Sequence, residues 1–401
     1  MLWRIARQSL WHRRTTTSLV ILALTLAFAV LLTVEHIRHE VRATFNGTVS
    51  GVDLIVGART GSTNLLLYSL FGIGSPSRNI SLDSLETIRQ QKGVEWVVPL
   101  SMGDSHKGYR VLATNAGFLE HFHYGQQHPL EISSGHWFSA ETDVVLGADV
   151  ARQLGYQTGD KVVLAHGQGH TSFSHHDDHP FIVSGILKPT GTPVDQTLLI
   201  DLEGMEHMHE HMAGAHHDEV SAALVGLTQR PLAFKVQRFI NEYPDEALLA
   251  ILPGLELGLL WENLGWIESS LRAIALLVLA SSVLGMTTLL LLSTRQRQTE
   301  LATLRSLGAS PFTLFMLIEM EVLLISGLAL LAAIAASAGG LALAANWLSG
   351  VTGIGLAPLL ANAQILPLMC MMLLVCLLVA AIPAWQASRT GLFTQLHSDH
   401  I

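Results

Sequence analysis

Long apolar runs alternate with ordinary globular sequence along this chain. Four runs, Thr17 to Val34, Ile274 to Leu292, Val322 to Leu343 and Ile365 to Ile382, approach the roughly 20 residues needed to cross a bilayer. They predict transmembrane helices over residues 17–34, 271–293, 312–346 and 364–384, with a short outer loop at 347–363. Residues 35–270 remain as one large globular block between the first two spans.

Inside that block the pattern changes. Leu82, Leu85 and Ile88 recur at helical spacing between Ser81 and Lys92. Val94 to Leu100, Val144 to Leu146, Lys161 to Leu164, Phe181 to Leu187 and Thr197 to Ile200 read as strands. A helix ending at Gly155 is expected, and another over Glu246 to Glu268 returning the chain to the second span. The apolar stretch Asn64 to Ile73 is too short to cross a bilayer, so it is either a buried core element or a lipid-facing or gate-lining surface. The mixture predicts an α+β domain. Upstream, Leu2, Trp3, Ile5, Ala6, Leu10 and Trp11 share a helical face opposite arginines, which predicts an amphipathic interfacial helix over residues 1–16.

Charge sets the orientation. Arg4, Arg7, Arg13 and Arg14 precede the first span, Arg295, Arg297 and Arg305 lie between the second and third, and Arg389 follows the fourth. Basic residues favour the cytoplasmic side, so both termini and the 294–311 loop are expected inside and the large domain outside. Residues 35–272 carry 15 Lys and Arg against 28 Asp and Glu, a balance of −13, which favours cationic partners and disfavours nucleic acid. Both cysteines, Cys370 and Cys376, fall in the last span, so the outer domain has no disulfide framework.

The 294–311 loop reads R-Q-R-Q-T-E-L-A-T-L-R-S-L-G-A-S-P from Arg295. Leu301, Leu304 and Leu307 give a short helix one apolar face, with Gly308 and Pro311 as stop signals. Such a helix is either a docking element for a cytoplasmic partner or a plain connector. Glu319 and Glu321 sit near the start of the third span, where charge is costly; they are either interface positions or part of the coupling.

Glu300-Leu301-Ala302, Leu304-Arg305 and Leu307-Gly308-Ala309 resemble the coupling-helix signature of the MacB/LolCDE/FtsX-type permeases, the type VII ABC transporters. Pro383 to Arg389 is similar to that family's closing motif. G-H-W-F-S at Gly135, V-V-L-G-A-D-V-A-R-Q-L-G from Val144, T-G-D-K-V from Thr158 and F-I-V-S-G-I-L-K-P-T-G-T-P-V-D from Phe181 resemble its outer domain, in family order. D-L-I-V-G-A-R from Asp53 and S-P-S-R-N-I from Ser75 resemble one subgroup. The Pro and Ala-Leu-Arg usual in the tail are replaced by Gly391 to Leu396, so a tail contact at 385–401 is not implied. The resemblance implies a membrane protein of four transmembrane helices with a periplasmic α+β domain between the first and second, in the bacterial inner membrane. It also implies a dimer served by a separate cytoplasmic ABC ATPase, with Glu300, Leu301, Leu304, Arg305, Leu307 and Gly308 as the ATPase-coupling residues. No G-x-x-x-x-G-K-[ST] motif occurs, so this chain is expected not to be an enzyme and ATP to be hydrolysed by the partner.

Two histidine-rich inserts, near 166–179 and 206–219, stand apart from this pattern. The first holds His166, His170, His175, His176 and His179 with Asp177 and Asp178; the second holds His207, His209, His211, His216 and His217 with Glu206, Glu210, Asp218 and Glu219. Imidazole with carboxylate suits zinc, nickel or Cu(II), and Met208 and Met212 would suit Cu(I). His207 and His211, four apart, would share a helix face. The opposing reading is a polar loop with incidental metal affinity. Zinc leads, as a collecting or sensing surface rather than a closed tetrahedral site. Three functions follow: mechanotransmission in metal handling, either moving metal directly or acting on a periplasmic metal-binding protein as partner; lipoprotein or lipid extraction through residues 64–73; or FtsX-like control of a periplasmic hydrolase without transport.

Overall fold

The computed structural model describes residues 14–48, 50–125, 127–166, 180–209, 218–298, 303, 305–352, 359 and 365–389. The interfacial helix expected before residue 14, most of both histidine-rich inserts, residues 299–302 and 304, and the tail beyond 389 lie outside them. The chain forms two compact units, one of Met1–Glu40, Gly265–Asn346 and Leu356–Ile401, the other of Val41–Leu264 and Trp347–Gly355.

In chain order the elements are α1 (Arg14–Thr48), β1 (Leu54–Ala58), α2 (Ser62–Leu70), β2 (Ile80–Ser81), α3 (Leu82–Arg89), β3 (Val94–His106), β4 (Tyr109–Thr114), α4 (Gly117–His121), β5 (His123–Tyr124), β6 (His128–Pro129) and β7 (Ile132–Gly135). There follow β8 (Asp143–Leu146), α5 (Ala148–Leu154), β9 (Lys161–Val162), β10 (Ala165–His166), β11 (Phe181–Leu187), β12 (Thr197–Asp201), α6 (Leu202–His209), β13 (Glu219–Val220), β14 (Ala222–Leu227), α7 (Ala233–Asn241) and β15 (Leu248–Ile251). Three long helices complete the chain: α8 (Pro253–Gln296), α9 (Pro311–Thr352) and α10 (Ile365–Arg389).

The large unit is built on one sheet in the order β15-β1-β14-β3-β4-β12-β8-β11-β7. β3 is its spine. Val94 to Leu100 pair with β14, and Ser101 to His106 pair with β4 across a register shift between Met102 and Ser105. β4 with β12 and β8 with β11 run parallel, the other sheet pairs antiparallel. β1 and β14 are continuous apolar runs because both faces are buried. Leu54 and Val56 face a core with Leu85, Ile88, Val236 and Ile240 of α3 and α7, while Ile55 faces Leu65, Leu66 and Leu70 of α2. Farther along, Leu198 and Ile200 pack with Val150 of α5, whereas Leu199 joins the core that holds α2. That shared layer bridges both halves of the sheet.

Local chemistry fixes the element ends. Ser81 Oγ accepts the Ser84 N–H at 3.2 Å and caps α3. Gly155, at φ 72°, closes α5 in the left-handed region. Lys107 and Gly108, at φ 48° and 87°, form the two-residue turn joining β3 to β4, the geometry that matches strand twist. The helix expected over Glu246 to Glu268 is corrected. Leu248 to Ile251 is a strand paired with β1, and the helix starts at Pro253, whose missing N–H costs nothing in a first turn. The strand expected over Lys161 to Leu164 is shorter, Lys161–Val162 (β9, on β11), and a second short strand, β10 (Ala165–His166, on β3), follows it. Residues 64–73 are a core element: Leu65 and Leu66 are fully buried, and the Tyr68 hydroxyl donates to Ser221 O at 3.0 Å.

The other unit holds most of the four bilayer-length apolar stretches, Arg14–Ala43 (which ends in the large unit), Pro253–Gln296 (which starts in it), Pro311–Ala344 and Ile365–Ser388. Small residues let the helices approach: Ala27, Ala329 and Ala333 are fully buried. The Thr33 and Ser337 hydroxyls pair at 3.2 Å, and Thr25 Oγ1 donates to Ala329 O at 3.3 Å, tying the first span to the third. Leu19, Leu22 and Leu26 form an exposed stripe at helical spacing, as lipid contact requires.

Candidate functional site

The inner end of the second span leads into the segment expected to engage an ATPase. Of its six named residues, Arg305, Leu307 and Gly308 are described; Glu300, Leu301 and Leu304 lie outside the described residues. Leu307 N donates to Thr303 O at 3.1 Å and Gly308 N to Arg305 O at 2.9 Å, so a helical turn ends at Gly308. Gly308 has φ 97° with nothing crowding its Cα, so glycine is needed here for backbone conformation rather than space. Ser310 Oγ then accepts the Thr313 N–H at 3.2 Å and caps α9. Leu307 is 80 % exposed, an apolar side chain presented at a turn.

Just before this segment, Arg297 Nη1 donates to Glu321 Oε1 of α9 at 2.8 Å, with the side chains only 13 % and 6 % exposed. A cavity of about 280 Å³ adjoins them, lined also by Thr15, Thr16, Thr17, Gln296 and Ile325. Arg297 enters the sequence reading only as one of several basic residues; its partner lies 24 positions away, across a turn whose geometry no periodicity reveals. At the outer end, Glu35 of α1 accepts from Arg38 and, at 3.4 Å, from Arg272 of α8, and Arg38 lies 3.8 Å from Glu268.

The stems of the histidine-rich inserts are described. β9 and β11 pair at Val162 and Phe181, closing the base of the first, and β10 places His166 opposite Asp104 in backbone register. The second departs from α6, which contains His207 and His209, and returns at β13, paired with β2. His170, His175, His176, His179, His211, His216 and His217 lie outside the described residues. Among the described residues no group of three or more His, Cys, Asp or Glu is arranged to hold a metal. Near the start of α6, a cavity of about 510 Å³ is lined by Glu141, Asp201 and Glu203 with Phe138 and Ser139. Burial, then the neighbouring Glu203, raises the Asp201 carboxyl above its ordinary range.

The first insert's stem is also tied to the β3–β4 turn. His106 Nδ1–H donates to Val163 O at 2.7 Å, leaving Nε2 to accept the Tyr156 hydroxyl at 3.0 Å, and Lys107 Nζ donates to the same hydroxyl at 3.0 Å. Burial lowers the His106 pKa below its ordinary 6.5, opposed by the Val163 bond and helped by Lys107. A depressed histidine pKa means the unfolded chain binds the proton first. Its stability contribution is therefore whole above pH 6.5 and falls on acidification through the window below it. Thermal unfolding of the purified protein at pH 7.5 and 5.5 is expected to show an acid-dependent loss that His106→Gln reduces, by at most about 1.4 kcal/mol per unit of pKa difference.

Four bilayer-length helices with a large mixed-sheet domain between the first and second in chain order define a multi-pass membrane protein carrying one large globular domain. A family model for the MacB-like periplasmic core domain matches residues 15–229, more than half the chain, and one for the FtsX-like permease C-terminal region matches residues 272–392. The chain belongs to the MacB/FtsX-type family of ABC transporter permeases, and it is a multi-pass inner-membrane protein whose large domain is periplasmic. Among solved structures, the periplasmic region of MacB from Actinobacillus actinomycetemcomitans is similar at 10% identity and TM-score 0.36, over 52% of this chain and 94% of that one. The extracellular domain of the noncanonic ABC-type transporter YknZ from Gram-positive bacteria is similar at 13% identity and TM-score 0.32, over 49% and 98%. No curated protein matches the chain.

Proposed function

We propose that this chain is a mechanotransmitting permease subunit that handles zinc or a related transition metal at the periplasmic face. A separate cytoplasmic ATPase hydrolyses ATP, its movement enters at residues 300–308, and the stroke of a homodimer reshapes the periplasmic domain against a metal-binding partner. The exposed Leu307 on a turn capped by Gly308 supports the docking step. The observation that carries the metal assignment is the pair of histidine-rich inserts, each with interleaved carboxylates.

A second reading keeps the machine and removes the transport, leaving FtsX-like control of a periplasmic partner. It is favoured by what the polar groups in the spans do. Thr287 and Thr288 donate to Val283 O and Leu284 O within their own helix at 2.7 and 2.9 Å, and Ser282 donates to Ala23 O at 3.4 Å. Each of these hydroxyls is thus engaged by a backbone carbonyl. For lipid extraction through residues 64–73, the helix Ser62–Leu70 packs mostly into the core, which leaves Ile73 as the exposed apolar side chain of that stretch.

The test is metal accumulation and growth under chelation in a strain lacking this gene, complemented by the whole chain or by one without residues 167–179 and 210–217. The shortened chain is expected to leave the metal defect in place. Full rescue by it would sink the metal assignment and leave the regulatory reading.

A further inference from the structure

We infer that Arg297 and Glu321 are positioning residues for coupling, the contact through which movement of the 300–308 segment reaches the third span. The inference rests on the mechanotransmission reading above. Arg297 is the first residue beyond α8, so any rotation of the following segment acts on its backbone directly. Its guanidinium is held by a carboxylate of α9, ten residues inside that helix, at 2.8 Å. The second span thus meets the third through a charge-assisted hydrogen bond, which has a direction and a narrow length, unlike the interchangeable apolar contacts of Met286 and Ile325 nearby.

Two features separate this from a packing device. A buried ion pair holds helices together less well than apolar side chains of the same volume, and an unpaired charge there is strongly unfavourable. A pair in this position therefore favours one relative setting of the two helices over its neighbours. The adjoining cavity, walled by Thr15, Thr16 and Thr17 of the first span, leaves space beside the pair. In a close-packed interior a side chain cannot move without displacing others; here the cavity gives the guanidinium room beside Glu321.

The experiment uses full-length permease with its cognate ATPase in lipid nanodiscs. It reads hydrogen exchange of the periplasmic domain with and without ATP, together with ATPase rate, co-purification and thermal unfolding. Wild type is expected to show an ATP-dependent exchange change. E321A and E321Q are expected to lose it while still co-purifying with the ATPase and hydrolysing ATP, and R297E/E321R, which rebuilds the pair with reversed polarity, to regain it. E321Q keeps the side-chain volume, so a folding defect in E321A leaves the test standing. A wild-type-sized change in E321Q, or a loss in both single variants that the reversed pair does not restore, would overturn the inference. No ATP-dependent change in wild type would instead overturn the mechanotransmission reading itself.

Discussion

Arg110→Ala is expected to destabilise the periplasmic domain by about 3 kcal/mol, read as a lower urea midpoint, with Arg110→Lys recovering only part of it. Arg110 leaves β4 to close over the C-terminal end of α2. Its Nη1 donates to Tyr68 O at 2.9 Å, and its Nη2 to Gly72 O and, at 3.0 Å, to Gly74 O. These carbonyls carry the partial negative charge of a helix end and the turn after it, where a cation is favourable. Burial opposes the charged form and pulls the guanidinium pKa down to about 10, so it stays charged at neutral pH. Alanine leaves three carbonyls without their donor and opens the core layer shared by both halves of the sheet. Lysine keeps the charge but cannot span the carbonyls with a planar fork. A midpoint shift worth less than about 1 kcal/mol in the alanine variant would show that water replaces the clasp without cost.

Gly147→Val is expected to prevent accumulation of folded protein, and Gly147→Ala to cost about 3 kcal/mol, as overpacking against an immobile neighbour does. The backbone angles at Gly147, φ −63° and ψ 151°, suit any residue. Space does not: a Cβ there would lie 2.4 Å from both Val194 O and Asp195 O. Those carbonyls cannot retreat. The Asp195 carboxylate accepts from Thr190 N at 2.9 and 3.0 Å, from Thr190 Oγ1 at 2.8 Å and from Gly191 N at 2.7 Å, which fixes the shape of the loop that carries them. Soluble expression and thermal unfolding of the two variants against wild type check the order, and an alanine variant as stable as wild type would refute the contact.

The same contact explains part of what the amino-acid pattern conveys. V-V-L-G-A-D and T-G-T-P-V-D stand far apart in the chain, and both carry the family resemblance. In the fold, Gly147 of the first lies on Val194 and Asp195 of the second. The motifs are legible separately, as glycines and turn residues, but their shared cause is not. Elements that announce themselves locally, such as Ser81 ahead of an amphipathic helix or Gly155 behind one, are read near their true bounds. Leu248 to Ile251 is misread as helix because four consecutive apolar residues carry no period, and the partner that makes them a strand, β1, lies 190 residues earlier. Of the coupling segment, the stop at Gly308 is visible in sequence because glycine is the residue that takes φ 97° readily. The Arg297–Glu321 pair is not, because its existence depends on how α8 and α9 are set side by side. The inserts are the reverse case: composition announces their chemistry, while folding rules say nothing of ligand geometry.

The stems of those inserts bear on how this protein can vary. Val162 faces Phe181 across a strand pair, and Glu219 faces Ser81 across another, while Leu82 N–H bonds to Asp218 O at 2.8 Å. Once the ends are pinned this way, each doubling of the intervening chain costs only about 0.6 kcal/mol in closure entropy. Histidine number is thereby freed from fold stability. An affinity sequence grafted between the same stems is therefore expected to leave the sheet beneath them intact.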